Sequence, residues 1–163
     1  HGIRNDVSII LHLMGGKGPS RRILFEGEKL RGLHTDERAI AGKVAKVIAE
    51  PVPPIGVYYD LGDGISHSGG DISNTISEWE KNGSKIIKLS ASSKPFDKYI
   101  ESVCKDEIFS FILSDDYDFT KDESEIMQNA DSVSIGKEWL QGHSAITIVH
   151  YILDQKIYSD SNE

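Results

Sequence analysis

The side chains best suited to chemistry in this sequence lie in a polar run that follows an apolar one. Ile108–Leu113 has the composition of a buried strand, and Ser114-Asp-Asp-Tyr-Asp118 follows it directly. In open α/β sheets, ligands bind where the carboxyl ends of the strands meet. Calcium is disfavoured, because Lys121 and Met127 stand where an EF-hand loop needs its glycine and its glutamate. This spacing is typical of a cofactor loop, and it fits a solvated acidic turn nearly as well.

A second polar loop precedes the C-terminal helix. It follows a short apolar strand, contains Gly136 and Gly142, and leaves backbone N–H and C=O groups available for a small polar ligand. The helix after it, roughly 144–158, carries few charges and must bury most of its surface. Its apolar residues cover more than one core face, which predicts a dimer. These residues are Ile146, Val149, Ile152 and Leu153.

Other common motifs for nucleotide or metal binding are excluded, because the residues they require are not at the required positions. Gly15–Ser20 is not a P-loop, because Gly18 follows the lysine and Leu11 stands where the first glycine is needed, so we predict a turn. Gly62-Asp-Gly64 is not a dinucleotide fingerprint, because His67 replaces its third glycine. A single cysteine and six dispersed histidines suggest no zinc site, and we expect no metal.

Strands alternate with helices along the chain, which predicts an α/β fold with a mostly parallel sheet. The stretch Val7–Met14 is nearly all apolar and is predicted to be buried on both faces. Further strands are predicted at 22–25, 56–61, 85–89, 108–113 and 132–135. Helices are predicted after an N-cap at Thr35, after an N-cap at Asp71, over about 122–129 and over the C-terminal segment.

Length and composition limit the kinds of protein to which this chain can belong. The 163 residues fit one domain, and no apolar run approaches the roughly 20 residues of a membrane span. The lone Cys104 favours a reducing compartment, so we expect a cytoplasmic protein. The sequence opens without Met, almost directly on an apolar strand, and we expect an N-terminal segment to be missing.

Charge is unevenly distributed. The net charge is −8, yet residues 1–50 hold nine Lys or Arg against six Asp or Glu, including all five arginines. Arginine donates bidentately to phosphate, so an acidic body with one basic face is predicted to bind RNA there. The alternative is that these arginines are ordinary solvated surface.

Four stretches together resemble one known family. They are Ile3-Arg-Asn-Asp-Val7, Asp36-Glu-Arg38, Phe111-Ile-Leu-Ser-Asp115, and Ser134-Ile-Gly136 followed by Ala145–Asp154. In this order they resemble the archaeal-type tRNA pseudouridine-54 N1-methyltransferases of the knotted SPOUT class. The chain departs from the family's Gly-Asp-His-Ile at Ser114–Tyr117, and has Ala145 where the family often has cysteine. We expect one SPOUT domain over 1–163, lacking the family's first strand and helix.

The resemblance implies a C-terminal deep trefoil knot, a homodimer without membrane or metal, and S-adenosylmethionine as cofactor. The implied cofactor-binding residues are Leu89, Ser114, Asp115, Ile135, Gly136, Leu140 and Ala145. Asp6 is the implied base for the N1 proton of pseudouridine. The implied tRNA phosphate contacts beside the cofactor pocket are Arg4, Arg21, Arg22 and Arg38. Two alternatives stay open: a related ribosomal RNA pseudouridine methyltransferase, and a non-catalytic RNA-binding scaffold with the same fold.

Overall fold

The computed structural model describes residues 3–15, 17–34, 36–103, 107–114 and 117–160, the last four without their side chains. The chain forms two compact units, His1–Thr75 and Ile76–Glu163. Within the described residues, no helix is long and apolar enough to cross a membrane. The single SPOUT domain stays a prediction, and each unit is described by itself.

The first unit is built on a four-stranded antiparallel sheet. Its strands are β1 (Ser8–Leu13), β2 (Arg21–Glu26), β3 (Tyr59–Asp60) and β4 (Ile65–Gly69), in the order β1-β2-β4-β3. Helix α1 (Glu37–Ala49) lies between β2 and β3 in the chain, and α2 (Ile72–Lys81) begins in this unit. The buried core consists of Ile23, Phe25, Leu30, Val47 and Ile65.

The expectation of a mostly parallel sheet is wrong for this first unit. Only residues 14–20 join β1 to β2, and a parallel pair needs a crossover of a dozen residues or more. The expectation that the first strand is buried on both faces is also wrong, because β1 is an edge strand and Ile9 is 49% exposed. The sequence therefore showed an apolar strand correctly but not its place in the sheet.

Strand β4 was missed because its sequence looks polar. It reads Ile65-Ser-His-Ser-Gly69, yet every residue in it is buried. The strand predicted over 56–61 shrinks to the two residues of β3, and Gly62–Gly64 forms the tight connection between β3 and β4. That connection has positive φ at Gly62, Asp63 and Gly64, which suits a hairpin turn. Rejecting a strand-to-helix nucleotide loop here is confirmed.

The second unit contains a three-stranded parallel sheet. Its strands are β5 (Lys85–Pro95), β6 (Phe109–Ile112) and β7 (Asp131–Ser134), in the order β6-β5-β7. Helices α3 (Phe96–Ile100), α4 (Lys121–Ile126) and α5 (Gly142–Asp160) alternate with them. The buried core consists of Ile87, Phe96, Ile100, Val133 and Val149. The coarser expectation, a mixed α/β fold with a parallel sheet, is confirmed here.

Polar side chains fix where several helices begin. The carboxylate of Asp71 accepts hydrogen bonds from the backbone N–H groups of Ser73 (2.9 Å) and Asn74 (3.3 Å), which confirms the predicted cap of α2. The N-cap of α1 is Asp36, which accepts from the N–H of Ala39 at 3.0 Å. The predicted cap, Thr35, lies outside the described residues.

Two histidines of the first unit, the partly buried His12 and the buried His67, have pKa values lowered by their surroundings. Burial and the nearby Arg21 guanidinium lower the pKa of His67, which is 1% exposed, against an opposing effect of Glu50. Burial and then Arg22 lower the pKa of His12, against an opposing effect of Asp71. Both shifts penalise protonation of the folded state.

We expect the free energy of unfolding to fall as the pH is lowered from about 7.5 to about 5.5. The unfolded chain takes up protons on these imidazoles near their ordinary pKa of about 6.5, whereas the folded chain resists until a lower pH. The unfolded state therefore binds more protons in this window, and stability falls as the pH falls. Urea unfolding should show a weaker pH dependence for His67→Gln than for the wild type. His34→Gln, at an exposed ring, is the control; equal slopes for all three proteins would contradict the assignment.

Candidate functional site

The carboxyl ends of β5, β6 and β7 meet at one edge of the parallel sheet. Lys88 of β5 lies opposite Ile112 of β6 on one side and opposite Ser132 of β7 on the other. Leu89, Ser114 and Ile135 all follow these positions toward the same edge. The structure thus gathers three of the predicted cofactor residues from three separate parts of the chain.

An irregularity in β5 shapes this edge. Both Leu89 and Lys94 pair with Val133, so the residues between them bulge out of the ladder. The hydroxyl of Ser134 approaches the carbonyl oxygen of Ala91 at 3.3 Å. The bulge after Leu89 is therefore tied to the end of β7.

The same serine organises the loop that follows β7. Its hydroxyl lies 3.0 Å from the carbonyl oxygen of Gly136 and accepts from the N–H of Gly136 at 3.3 Å. A second link joins the hydroxyls of Ser93 and Ser132 at 2.7 Å. Sequence reasoning missed Ser93 as a positioning residue. The serine-rich run 90–93, a turn signal inside a strand, was the clue.

Gly136 has a backbone conformation that L-residues rarely adopt, with φ of +147°. Space around the position is open, because a Cβ built there would meet nothing within 4 Å. The residue is required by the path of the chain and not by crowding from its neighbours. A loop held in this shape presents backbone groups at the sheet edge.

Apolar residues line the inner side of the same region. Leu89 and Ile135 are partly buried against the core cluster that includes Val149 of α5. Ala145, 5% exposed, lies one helical turn before Val149 on α5. The predicted Leu140 is half-buried in the loop before α5. The ends of β5 and β7 and helix α5 thus share one core cluster through Leu89, Ile135 and Val149.

The acidic loop after β6 is only partly described. Ser114 is exposed at the end of β6, and Tyr117 is 80% exposed. Asp115, predicted to bind the cofactor, lies outside the described residues. Its assignment stays a prediction from the sequence.

The predicted base lies in the first unit, in the turn before β1. The guanidinium of Arg4 donates to both carboxylate oxygens of Asp6, from Nε at 3.1 Å and from Nη2 at 2.7 Å. Gly27 holds the turn in place, since its N–H donates to the carbonyl oxygen of Val7 at 3.0 Å. A Cβ at Gly27 would overlap the carbonyl oxygens of Arg4 and Val7. Asp6 is thus an exposed carboxylate in a fixed orientation.

The structure corrects the assignment of Arg21 to phosphate binding. Its side chain is 7% exposed, and it donates to the carbonyl oxygens of Val47 and, at 2.5 Å, of Glu50. Those carbonyls belong to the C-terminal end of α1, which a cation stabilises. Arg21 therefore caps the C-terminal end of α1, a helix of its own unit.

Arg22 is likewise internal, at 0% exposed. It donates to the carbonyl oxygen of Gly69 (3.1 Å) and to the hydroxyls of Thr75 (3.1 Å) and Ser68 (3.4 Å). Its guanidinium also lies over the ring of Tyr58, 5.3 Å from the centroid. A charge count along the sequence could not reveal these partners, and neither Arg21 nor Arg22 presents its charge to solvent. Of the four predicted phosphate contacts, Arg4 and Arg38 remain accessible.

No metal site emerges from the part of the chain that the structure describes. There, no group of three His, Cys, Asp or Glu side chains is placed to hold a metal ion. The expectation of a metal-free protein stays a prediction.

Comparison with known proteins assigns the family. Residues 1–158 match the model of a family described as "Putative SAM-dependent RNA methyltransferase". The chain belongs to this family. This match confirms the resemblance that four sequence stretches indicated. At the level of the family, it also confirms S-adenosylmethionine as the cofactor and RNA methylation as the activity.

Individual relatives carry a more specific name, tRNA (pseudouridine(54)-N(1))-methyltransferase. The protein of that name from Haloferax volcanii is 31% identical, over 98% of this chain and 77% of its own length. The one from Methanospirillum hungatei is 27% identical, over 96% of this chain and 75% of its own length.

A solved structure shares the fold of this methyltransferase. Nep1 from Archaeoglobus fulgidus, bound to S-adenosylhomocysteine, superimposes with a TM-score of 0.64 at 13% sequence identity. The match covers 93% of this chain and 63% of the Nep1 chain. At this identity the likeness concerns the fold alone.

Proposed function

We propose that this methyltransferase transfers the methyl group of S-adenosylmethionine to N1 of pseudouridine 54 in tRNA. Two similar proteins carry that name, and each is matched along at least three quarters of its length. The observation that supports the proposal is the carboxyl edge of the parallel sheet, toward which Leu89 of β5 and Gly136 after β7 both lie.

The residues at this edge fit the cofactor. Leu89 and Ile135 offer an apolar wall for an adenine ring, and Gly136 offers backbone groups in a shape that needs glycine. Ala145, the remaining predicted cofactor residue near the start of α5, is buried and small. The bound cofactor supplies a methyl group activated by a positively charged sulfur.

The chain must also remove a proton from the acceptor. N1 of pseudouridine is a weakly acidic ring nitrogen, so transfer needs a base and an in-line approach. Asp6 is our proposed base, and Arg4 holds its carboxylate in one orientation. Asp6→Asn should abolish methyl transfer while leaving the affinity for S-adenosylhomocysteine unchanged. Unchanged turnover would remove Asp6 from this role.

We expect a tritiated methyl group to pass from S-adenosylmethionine to tRNA that carries pseudouridine at position 54. A transcript with uridine at that position, which lacks the N1–H acceptor, is the matched control. Transfer to ribosomal RNA alone would favour the related ribosomal enzyme. Calorimetry without heat of binding at high micromolar S-adenosylmethionine would instead favour the non-catalytic RNA-binding scaffold.

We further propose that α5 is part of a deep trefoil knot and that the protein acts in the cytoplasm. The knot is supported by the family resemblance of the loop and helix from Ser134 to Asp154. The cytoplasmic location is supported by the single cysteine and by tRNA as the proposed substrate.

A homodimer is proposed from the apolar surface of α5. The sequence predicted this dimer from four apolar residues of α5, but three of them pack on the core of their own unit: Val149, Ile152 and Leu153. Among the α5 side chains that the structure describes, the exposed large hydrophobic ones are Ile146 (39%) and Tyr151 (62%). Such residues suit an isologous contact between two copies.

Light scattering should give about twice the chain mass of 18.1 kDa. Ile146→Asp/Tyr151→Asp should reduce the particle to one chain with unchanged helical content. Ile48→Asp, at a 55% exposed position of α1, is the control and should leave the mass unchanged. A wild-type monomer at all concentrations would overturn the proposal.

A further inference from the structure

A cleft of about 260 Å³ opens in the first unit between the turn 32–34 and one face of α1. The helix lines it with three cations, Arg38, Lys43 and Lys46. Among the residues that the structure describes, none of those lining the cleft is acidic. A concave surface lined by one sign of charge concentrates ligands of the opposite charge. In an acidic protein, such a basic cleft stands out from the rest of the chain.

Two of these cations are available to a ligand. Lys43 forms an ion pair with Asp63, with Nζ to Oδ2 at 3.1 Å. Within the described part of the chain, neither Arg38 nor Lys46 is engaged in an ion pair. They are exposed and eight residues apart on α1, about 12 Å along the helix axis. That span suits a run of phosphates better than a single small anion.

Gly42 lies on the same face of α1, between these two cations. Glycine in a helix interior is destabilising relative to alanine, so its presence needs a reason. The fold supplies none, because Gly42 has no positive φ and a Cβ there would meet nothing within 4 Å. The missing side chain leaves the floor of the cleft open to a closely approaching ligand.

We propose that this cleft is a groove for the RNA backbone, with Arg38 and Lys46 contacting phosphates on either side of Gly42. The proposal rests on the proposed function, because it takes RNA as the ligand. In the predicted set of phosphate contacts, Lys46 takes the place of Arg21 and Arg22, whose side chains are internal. RNA-backbone contacts of this kind fix the position of the RNA without reading its sequence.

The test measures tRNA affinity as a function of salt. Arg38→Ala/Lys46→Ala should weaken binding at least tenfold near 0.1 M salt, and should lower the slope of log affinity against log salt by about 1.4 to 1.8. Lys29→Ala, at an exposed lysine outside the cleft, is the matched control and should change both little. Wild-type affinity and slope in the double variant would overturn the proposal.

A second variant separates binding from folding. Gly42→Ala should raise the stability of the protein, because alanine favours helix, yet should weaken tRNA binding severalfold by narrowing the cleft. Gly18→Ala, the same change at another open position, is the control. A Gly42→Ala protein that binds tRNA like the wild type would contradict a ligand at the cleft floor.

The failure of the cleft and the failure of the proposed function are distinguishable. The double variant should keep wild-type affinity for S-adenosylhomocysteine, and should show a raised KM for tRNA in methyl transfer. The cleft proposal alone would be wrong if the wild type methylates tRNA and the double variant has the same KM and the same affinity for tRNA as the wild type. Wild-type protein that binds tRNA through the cleft but transfers no methyl group would overturn the function alone.

Discussion

Arg22→Ala is expected to lower the free energy of unfolding by about 3 kcal/mol or more. The Arg22 guanidinium is fully buried and donates to Gly69, Thr75 and Ser68, so its removal deletes three buried hydrogen bonds and leaves a cavity. The Tyr58 ring would also lose the cation above it. Urea unfolding followed by fluorescence or circular dichroism measures the difference.

Arg31→Ala is the matched control for this prediction. Arg31 is exposed and donates to the backbone carbonyls of Glu28 and Leu30, so its loss should change stability by no more than about 0.5 kcal/mol. The two variants therefore separate a buried arginine from a surface one. If Arg22→Ala were as stable as the wild type but bound tRNA more weakly, the original phosphate-contact prediction would be right instead.

Gly136→Val should weaken binding of S-adenosylmethionine by about tenfold or more. A valine held at φ of +147° is strained by roughly 1–3 kcal/mol, and 1.4 kcal/mol corresponds to a factor of ten in affinity. The loop would relax away from its present shape, and binding would have to restore it. Calorimetry with S-adenosylhomocysteine measures the loss without turnover.

Gly18→Val provides the control for the same side-chain change. Gly18 has open space around it and no positive φ, so valine there should bind cofactor like the wild type. Equal affinities for the wild type and Gly136→Val would show that the loop after β7 does not hold the cofactor. Unfolding of both variants should be measured alongside, so that a loss of binding is not mistaken for a loss of fold.

Local features of this protein could be predicted from the sequence because their causes are local. The cap at Asp71 depends on side-chain and backbone groups within three residues of each other. The parallel sheet of the second unit could be predicted because long connections separate its apolar strands. Leu89 and Ile135 could be predicted as cofactor-binding residues because four stretches in a fixed order resemble one family. The structure places both residues at the same sheet edge.

Tertiary structure alone decided which charges and strands are internal. Arg21, Arg22 and Arg38 look alike in the sequence, yet two of them satisfy buried carbonyls and hydroxyls while the third faces solvent. Strand β4 looks polar, yet His67 and Ser68 are buried with hydrogen-bond partners distant in sequence, Arg21 and the carbonyl oxygen of Pro54. The sequence determines which groups can form hydrogen bonds, but their burial depends on long-range packing that no local pattern records.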